Sequence, residues 1–239
     1  MKARAATAAL VPALLLAAGC GGAGAPAPGA DPKGSATASA TSGAPVAPRA
    51  GTALERAALV QGDLDGYQIS AQGKNPNAPQ GQPQADRKAC QPLADIMGDK
   101  PDPAARETVD RGIGSQKQVG LAVSATLSSY AESDARALID RLHGAVAACG
   151  TGFSATIGPQ SGTYRDVRAT EYRTGGDESV SWTTTVSSQG VSAPAHLLVI
   201  RAGATVVRLM AVDVTAARQK VEVPHEVTGK QLQKVRSTG

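Results

Sequence analysis

Aromatic residues are scarce in this chain, whose 239 residues include one Phe, one Trp and four Tyr. The formal net charge is +4, and no cluster of Lys and Arg is interleaved with these rings. Met1–Gly19 holds two of the 24 basic residues and no acidic one, so its removal leaves 22 basic residues against 20 acidic ones. Because nucleic-acid binding combines a basic face with stacking aromatic rings, we predict no nucleic-acid partner.

Motifs of catalytic sites are lacking as well. The chain contains no G-x-S-x-G, S-x-x-K, H-E-x-x-H or phosphate-loop pattern. Its three histidines are scattered, and we interpret His143 as lying on the polar side of a helix, His196 in a strand and His225 at a helix start. We therefore predict no catalytic residue, no metal site and no cofactor. An enzyme built from residues that only folding brings together stays open.

Two acidic pairs have structural interpretations. Asp63 and Asp65 lie in a glycine-framed turn, and no Glu stands at the twelfth position that an EF-hand calcium loop requires. Asp177 and Glu178, next to Ser179, fall at a predicted hairpin turn, which favours a solvated tip over part of a catalytic triad.

The N-terminus carries Lys2 and Arg4 and then Ala5–Ala18, an apolar run of about 14 residues. A bilayer span needs about 20 residues, so the run is typical of a signal-peptide core. It ends in Leu16–Cys20, which resembles the lipobox of bacterial lipoproteins with its Leu one position further from the cysteine. The resemblance implies that Cys20 carries a lipid and anchors the chain to the outer face of the cell membrane. A secretory signal that is cleaved elsewhere is the alternative.

The segment Gly21–Thr52 consists almost entirely of Gly, Ala, Pro, Ser and Thr. Such a segment buries too little apolar surface to offset its conformational entropy, which indicates a disordered tether. We therefore divide the chain into a signal peptide (1–19), a lipidated cysteine with its tether (20–52) and one domain (53–239). The domain, with about 187 residues, is long enough for a single core.

Cys90 and Cys149 are the cysteines that remain once Cys20 is lipidated. An even pair in an exported chain favours a disulfide. A catalytic thiol or a metal ligand is the alternative, but neither has a clear partner, because a zinc site needs further Cys or His ligands.

The stretch Gln118–Cys149 gives the clearest structural signal. Over Gln118–Ala131 apolar residues alternate with small or polar ones, which predicts a strand with one buried face and one wet or lightly covered face. Apolar residues then recur at helical spacing. We expect Ser133 to cap this helix and Gly150 to end it in a left-handed conformation.

The remaining patterns complete an α+β fold, an antiparallel sheet with packed helices. Consecutive hairpin turns, including one at Gly175–Asp177, indicate that the strands run antiparallel. Helices are predicted at 53–60, 88–97 and 223–235, a helical turn at 104–110, a loop at 72–86, and strands at 67–71, 153–157, 163–174 (an edge strand or a bulged one), 180–186, 194–200 and 205–212.

Three motifs point to a known family: the turn Asp63–Tyr67, the helix end Ala147–Cys149 followed by Phe153, and paired strands around Ser179–Thr185 and Leu197–Met210. Together they resemble the extracellular sensor domain of the mycobacterial serine/threonine kinase PknH and the actinobacterial lipoproteins that share it. The resemblance covers roughly residues 54–235. It implies a disulfide-stapled antiparallel sheet with a cleft, and sensing of a ligand or partner without catalysis. The kinase domain carries two disulfides, whereas this chain has cysteines for one.

Two functions follow as hypotheses. The first is a non-catalytic module that binds a small or lipidic ligand in a cleft between sheet and helix. Tyr172 and Trp182 could line such a pocket, although a place in the sheet core is favoured for both. The alternative is an accessory protein that presents a sheet face or an edge strand to another envelope protein. The patterns identify neither the ligand-binding residues nor the partner.

Overall fold

The computed structural model describes residues 51–72, 81–213, 215 and 220–238. The predicted signal peptide, Cys20 and nearly all of the predicted tether lie outside these residues and stay predictions. The described elements are α1 (Ala53–Ala57), β1 (Tyr67–Gln72), β2 (Gln84–Ala85), a 3₁₀ turn (Lys88–Cys90), α2 (Gln91–Met97), β3 (Glu107–Ser115), β4 (Leu121–Ser129), α3 (Glu132–Ala148), β5 (Phe153–Ile157), β6 (Gln160–Ala169), β7 (Glu178–Ser188), β8 (Val191–Ala202), β9 (Thr205–Asp213) and α4 (His225–Thr238). No helix in these ranges has both the length and the apolarity that a membrane span would require.

The nine described strands form one sheet in the order β1-β3-β4-β9-β8-β7-β6-β5-β2. Every neighbouring pair is antiparallel. The tight turn between β8 and β9 has Gly203 at φ 60°, a conformation that glycine adopts without strain. The predicted fold class, an antiparallel sheet with packed helices, is confirmed.

Helices pack on both faces of the sheet. On one face, α1 and α4 share a core with alternate residues of β1, β3, β4, β8 and β9, including Ile113, Val123 and Leu209. On the other face, α2 and α3 share a second core with Trp182 and with other strand residues whose side chains point to that face. The central run Leu197–Ile200 of β8 is fully buried because its strand lies between both layers.

A disulfide joins Cys90 to Cys149, with 5.8 Å between their Cα atoms. The predicted pair is therefore confirmed. Cys90 precedes α2 and Cys149 follows α3, and both residues are fully buried. The bond thus ties together the two helices that cover the same face of the sheet.

The predicted ends of α3 need correction. The helix begins at Glu132, one residue before the proposed Ser133 cap, and no side chain caps its first turn. Gly150 does not adopt the left-handed conformation; that role belongs to Gly152, with φ 94°. A Cβ at residue 152 would lie 2.3 Å from the carbonyl oxygen of Tyr164. The turn therefore comes two residues later, where the chain passes close against β6.

The predicted helical turn at 104–110 is wrong. β3 occupies much of that stretch and pairs with β1 on one side and β4 on the other. Gly112 and Gly114 have no side chains, so the stretch lacks the alternating pattern of a strand. Only its pairing with the neighbouring strands defines it.

The predictions for β6 and its following turn are confirmed only in part. The predicted bulge is present, as a register shift between Arg165 and Arg168. However, β6 lies inside the sheet between β5 and β7. It also ends at Ala169, so the connection to β7 is longer than the turn predicted at Gly175–Asp177.

Candidate functional site

Helices cover only part of one face of the sheet. α3 contacts β6, β7, β8 and β9. A row of cross-strand partners runs along this face from β7 to β1: Trp182, Leu197, Met210, Ser124, Gly112 and Ser70. Trp182 and Leu197 are fully buried in the helix-covered core. At the other end of the row, β1, β3 and β4 present small and polar residues to an open groove.

We call this open space the glycine groove, and its volume is about 760 Å³. The volume falls within the range of roughly 300–1,000 Å³ that is typical of small-molecule sites. The floor comes from three adjacent strands and the wall from the loop between α1 and β1. The floor residues are Gln68, Ser70, Gln72, Gly112, Gly114, Ala122 and Ser124; the wall residues are Gln61, Gly62, Leu64, Asp65 and Gly66.

The two glycines of β3 give the groove its depth. A Cβ at Gly112 would lie 2.4 Å from Nε2 of Gln72, so the glycine lets the Gln72 carboxamide lie across the floor. A Cβ at Gly114 would meet no atom within 4 Å. The floor at Gly114 is therefore open backbone, where a ligand can approach closely.

Polar atoms without a partner lie on this same face of the sheet. The hydroxyl of Ser124, Nε of Arg208 and Nε1 of Trp182 are buried and have no hydrogen-bond partner among the described residues. Arg208 is the cross-strand partner of Thr126 and lies beside the row that contains Ser124. Its Nη2 donates to Thr126 at 2.8 Å and also pairs with Asp99. A buried polar group left unpaired costs about 1–3 kcal/mol. A ligand that bonded to Ser124 would recover part of that cost.

A side chain occupies part of the outer edge of β1. The carboxamide of Gln61 donates to the carbonyl of Tyr67 at 3.3 Å and accepts from the amide of Ile69 at 2.8 Å. These are bonds that a further strand would otherwise make. Tyr67 is held in turn, since its hydroxyl donates to Glu226 at 2.7 Å. Burial, reinforced by Glu226, raises the pKa of Tyr67 to about 12.

A serine and a histidine also meet inside the fold. The Ser181 hydroxyl lies 2.8 Å from Nε2 of His196, the distance of a nucleophile and its base. However, the backbone N–H of Val223 donates to Nδ1 of His196 at 3.0 Å. Nδ1 is therefore the unprotonated nitrogen, and Nε2 carries the proton of the neutral ring. Nε2 donates to Ser181 and cannot take its proton, so this pair lacks a base.

The electrostatics of His196 agree with this hydrogen bonding. Burial lowers the pKa of His196 to about 4, an effect that Glu222 opposes and that Lys220 and His225 reinforce. The imidazole is therefore neutral at pH 7, as the bond from Val223 requires. The other two histidines lie on the surface: His143 is exposed on α3, and His225 stacks on Tyr172 with 4.3 Å between ring centroids.

The acidic pairs act within the fold. Asp177 and Glu178 hold the buried guanidinium of Arg201 at 2.9 and 2.7 Å, so the predicted solvated tip is also an ion-pair cluster. Asp63 accepts from the amide of Val60 at 2.8 Å and from Lys234 at 2.6 Å, in keeping with its predicted place in a turn. The described residues contain no group of three or more His, Cys, Asp or Glu suited to a metal ion.

The two candidate pocket aromatics have different surroundings. Trp182 is fully buried in the core, as favoured. Tyr172 is also mostly buried, and its hydroxyl donates to the carbonyl of Val223 at 3.0 Å, but its side chain lines a smaller pocket beside α3.

The sequence patterns did not identify the floor of the glycine groove. A partial signal was present, because Ala122 and Ser124 fall on the lightly covered face predicted for β4. Gly112 and Gly114 also have the spacing of two that places residues on one face of a strand. This spacing becomes informative only once β3 is recognised as a strand.

Comparison with known proteins gives structural likeness alone. No family model matches the chain, and no curated protein matches it in sequence. Among solved structures, the extracellular domain of PknH from Mycobacterium tuberculosis is similar, with 12% identity over 72% of this chain and 81% of that one and a TM-score of 0.43. An uncharacterized protein of Mycobacterium smegmatis, the Rv0999 ortholog, has 10% identity over 73% of this chain and 89% of that one, with a TM-score of 0.38. The resemblance inferred from the motifs is confirmed, and no residue role is carried over from either protein.

Proposed function

We propose that this chain is an extracytoplasmic, lipid-anchored module that binds a ligand in the glycine groove and has no catalytic activity. The observation that carries the proposal is the uncovered part of the sheet. α2 and α3 cover other strands on this face of the sheet. On β1, β3 and β4 the same face carries glycines, hydroxyls and carboxamides and has no helix packed on it. The buried Ser124 hydroxyl, which has no partner among the described residues, lies at the border of this groove.

The lining favours a neutral ligand rich in hydrogen-bonding groups. Carboxamides of Gln68 and Gln72 and hydroxyls of Ser70 and Ser124 both donate and accept, and Asp65 is the charged residue of the described lining. The groove is open, so it does not enclose an acyl chain as a lipid site would. Oligosaccharides and short peptides carry the matching hydroxyl and amide groups.

The alternative function is an accessory protein that docks on another envelope protein. One observation favours it: β1 ends the sheet beside the groove, and its edge bonds to the Gln61 side chain instead of a strand. Displacement of Gln61 would open a strand edge to a partner chain. Because Gln61 already satisfies two backbone groups, strand addition must compete with it, and we rank this function second.

The ligand proposal is tested by filling the groove floor. Gly114→Val places a Cβ in open space and removes volume from the groove. A Cβ at Gly162 on β6 would lie 3.6 Å or more from its neighbours and outside the groove, so Gly162→Val is the control. The full chain is melted with oligosaccharides, cell-wall fragments or short peptides, with the single Trp182 as a fluorescent probe. A ligand at about a hundred times its dissociation constant adds about 2.7 kcal/mol, a rise on the order of 5–10 °C.

We expect the rise in melting temperature in the wild type and in Gly162→Val, and its loss in Gly114→Val. A rise that survives Gly114→Val would place the ligand elsewhere. No rise with any probe would favour the accessory function, which crosslinking in intact cells would then address.

The anchor is tested separately. Because a lipid on Cys20 would hold the chain on the membrane, the wild type is expected in the membrane fraction and Cys20→Ser in the soluble fraction. Equal distribution of both proteins would contradict lipidation at this residue.

A further inference from the structure

A second, smaller cavity lies between α3 and the sheet, away from the glycine groove. Its volume is about 350 Å³, near the lower end of the range for ligand sites, roughly 300–1,000 Å³. The apolar wall comes from α3 and β7 and includes Val146, Ala147 and Val180. The polar side holds the hydroxyls of Thr170 and Ser181, and we call the cavity the hydroxyl pocket.

The hydrogen bonds of this pocket have a fixed direction. The amide of Val223 donates to Nδ1 of His196 at 3.0 Å, so Nε2–H must donate outward. Nε2 lies 2.8 Å from the Ser181 hydroxyl and 3.3 Å from the Thr170 hydroxyl. The two hydroxyl oxygens are 2.7 Å apart. The chain of bonds therefore runs from the backbone ahead of α4 to the pocket.

Counting hydrogens shows that this cluster has one donor too many. The bond between Ser181 and Thr170 uses one hydroxyl hydrogen, and the bonds from His196 use the hydrogen on Nε2. The second hydroxyl hydrogen has no acceptor in the cluster. Neither hydroxyl makes another hydrogen bond within the described part of the chain. Whichever hydroxyl keeps the spare hydrogen, both line the pocket.

We propose that the hydroxyl pocket is a second ligand site, which takes the carboxylate of a small molecule with a short apolar body. The spare hydroxyl hydrogen is free to bond to an acceptor in the pocket, and the exposed imidazole of His143 adds another donor at the pocket's lining. No Asp or Glu belongs to the described lining, so a carboxylate meets no like charge there. The apolar wall accommodates an alkyl chain. This site is independent of the glycine groove.

Three probes of one shape test the ligand class: butyrate, butyramide and butylammonium. Each is titrated into the full chain while the amide of Val223 and the ring nitrogens of His196 are followed by NMR. These groups are hydrogen-bonded in series to the Ser181 hydroxyl, so they report on binding in the pocket. Butyrate is expected to give saturable shifts, butyramide weaker binding and butylammonium the weakest, since an ammonium cannot accept the spare hydroxyl hydrogen. Absence of saturable shifts with butyrate, or equal shifts with butylammonium, would overturn the proposal.

Two matched variants locate the binding. Ala147→Leu on α3 fills the pocket with a side chain of similar helix propensity, whereas the neighbouring Ala148→Leu, also exposed, lies outside the lining. Butyrate binding should be lost in Ala147→Leu and kept in Ala148→Leu and in Gly114→Val. Unchanged butyrate affinity in Ala147→Leu would refute the site.

Discussion

The neutral form of His196 makes hydrogen bonds that its protonated form cannot keep. The ring is 2% exposed, and Nδ1 accepts from the amide of Val223. A proton on Nδ1 would place two donors against each other and a charge in the core. Burial accordingly lowers the pKa of His196 to about 4, with Glu222 opposing and Lys220 and His225 assisting.

The direction of the pH effect follows from this shift. The unfolded chain titrates near the ordinary histidine pKa of about 6.5, so between that pH and about 4 the unfolded state binds a proton that the folded state does not. The free energy of unfolding therefore rises with pH across this window. The contribution of neutral His196 to the free energy of unfolding is complete above about pH 6.5 and is lost as the pH falls towards 4. The lowered pKa of His196 corresponds to a change of at most about 3 kcal/mol in the free energy of unfolding.

The assay is urea unfolding followed by Trp182 fluorescence between pH 4 and 8, which compares the wild type with His196→Asn. The Asn carbonyl can accept from Val223 but does not titrate. We expect the stability difference between the two proteins to change by about 3 kcal/mol in favour of the variant as the pH falls from about 7 to about 4. The control is His143→Gln on the exposed side of α3, which should follow the wild type. Parallel curves for the wild type and His196→Asn would refute the lowered pKa of His196.

Three further predictions concern stability. Cys90 and Cys149 are 59 residues apart, so replacing both by Ser should cost about 4 kcal/mol of loop-closure entropy and lower the melting temperature by on the order of 10 °C; an unchanged melting temperature would contradict this. Gly144→Ala and Gly229→Ala should each add about 0.5–1 kcal/mol in urea unfolding, since both lie within helices with open space at the Cβ position. Gly152→Ala should lower stability, because φ is 94° there and a Cβ would meet a backbone oxygen.

The predictable parts of the fold are those in which a local pattern and the tertiary structure agree. β4 and α3 were recognised because one apolar residue in two, and then one in three or four, faces a core. The disulfide followed from an even pair of cysteines in a chain with a predicted export signal. For the strand and the helix, side chains within one segment carry the information.

The parts that were missed depend on partners distant in sequence. β3 is a strand because β1 and β4 pair with it, and its glycines offer no local pattern. The glycine groove likewise exists because α2 and α3 cover other strands of the same face. Only a sequence method that paired Gly112 with both Ser70 and Ser124 could have located its floor.

The meeting of Ser181 and His196 shows why proximity alone does not define a catalytic pair. The two residues come from neighbouring strands, and their hydrogen bond is as short as one in a hydrolase. In a catalytic triad the far nitrogen of the imidazole donates to a carboxylate, which leaves the near nitrogen free to accept from serine. In this chain the far nitrogen accepts from a backbone amide, which reverses the direction of every bond beyond it. The same reversal that removes the base leaves a hydroxyl hydrogen for an acceptor in the pocket.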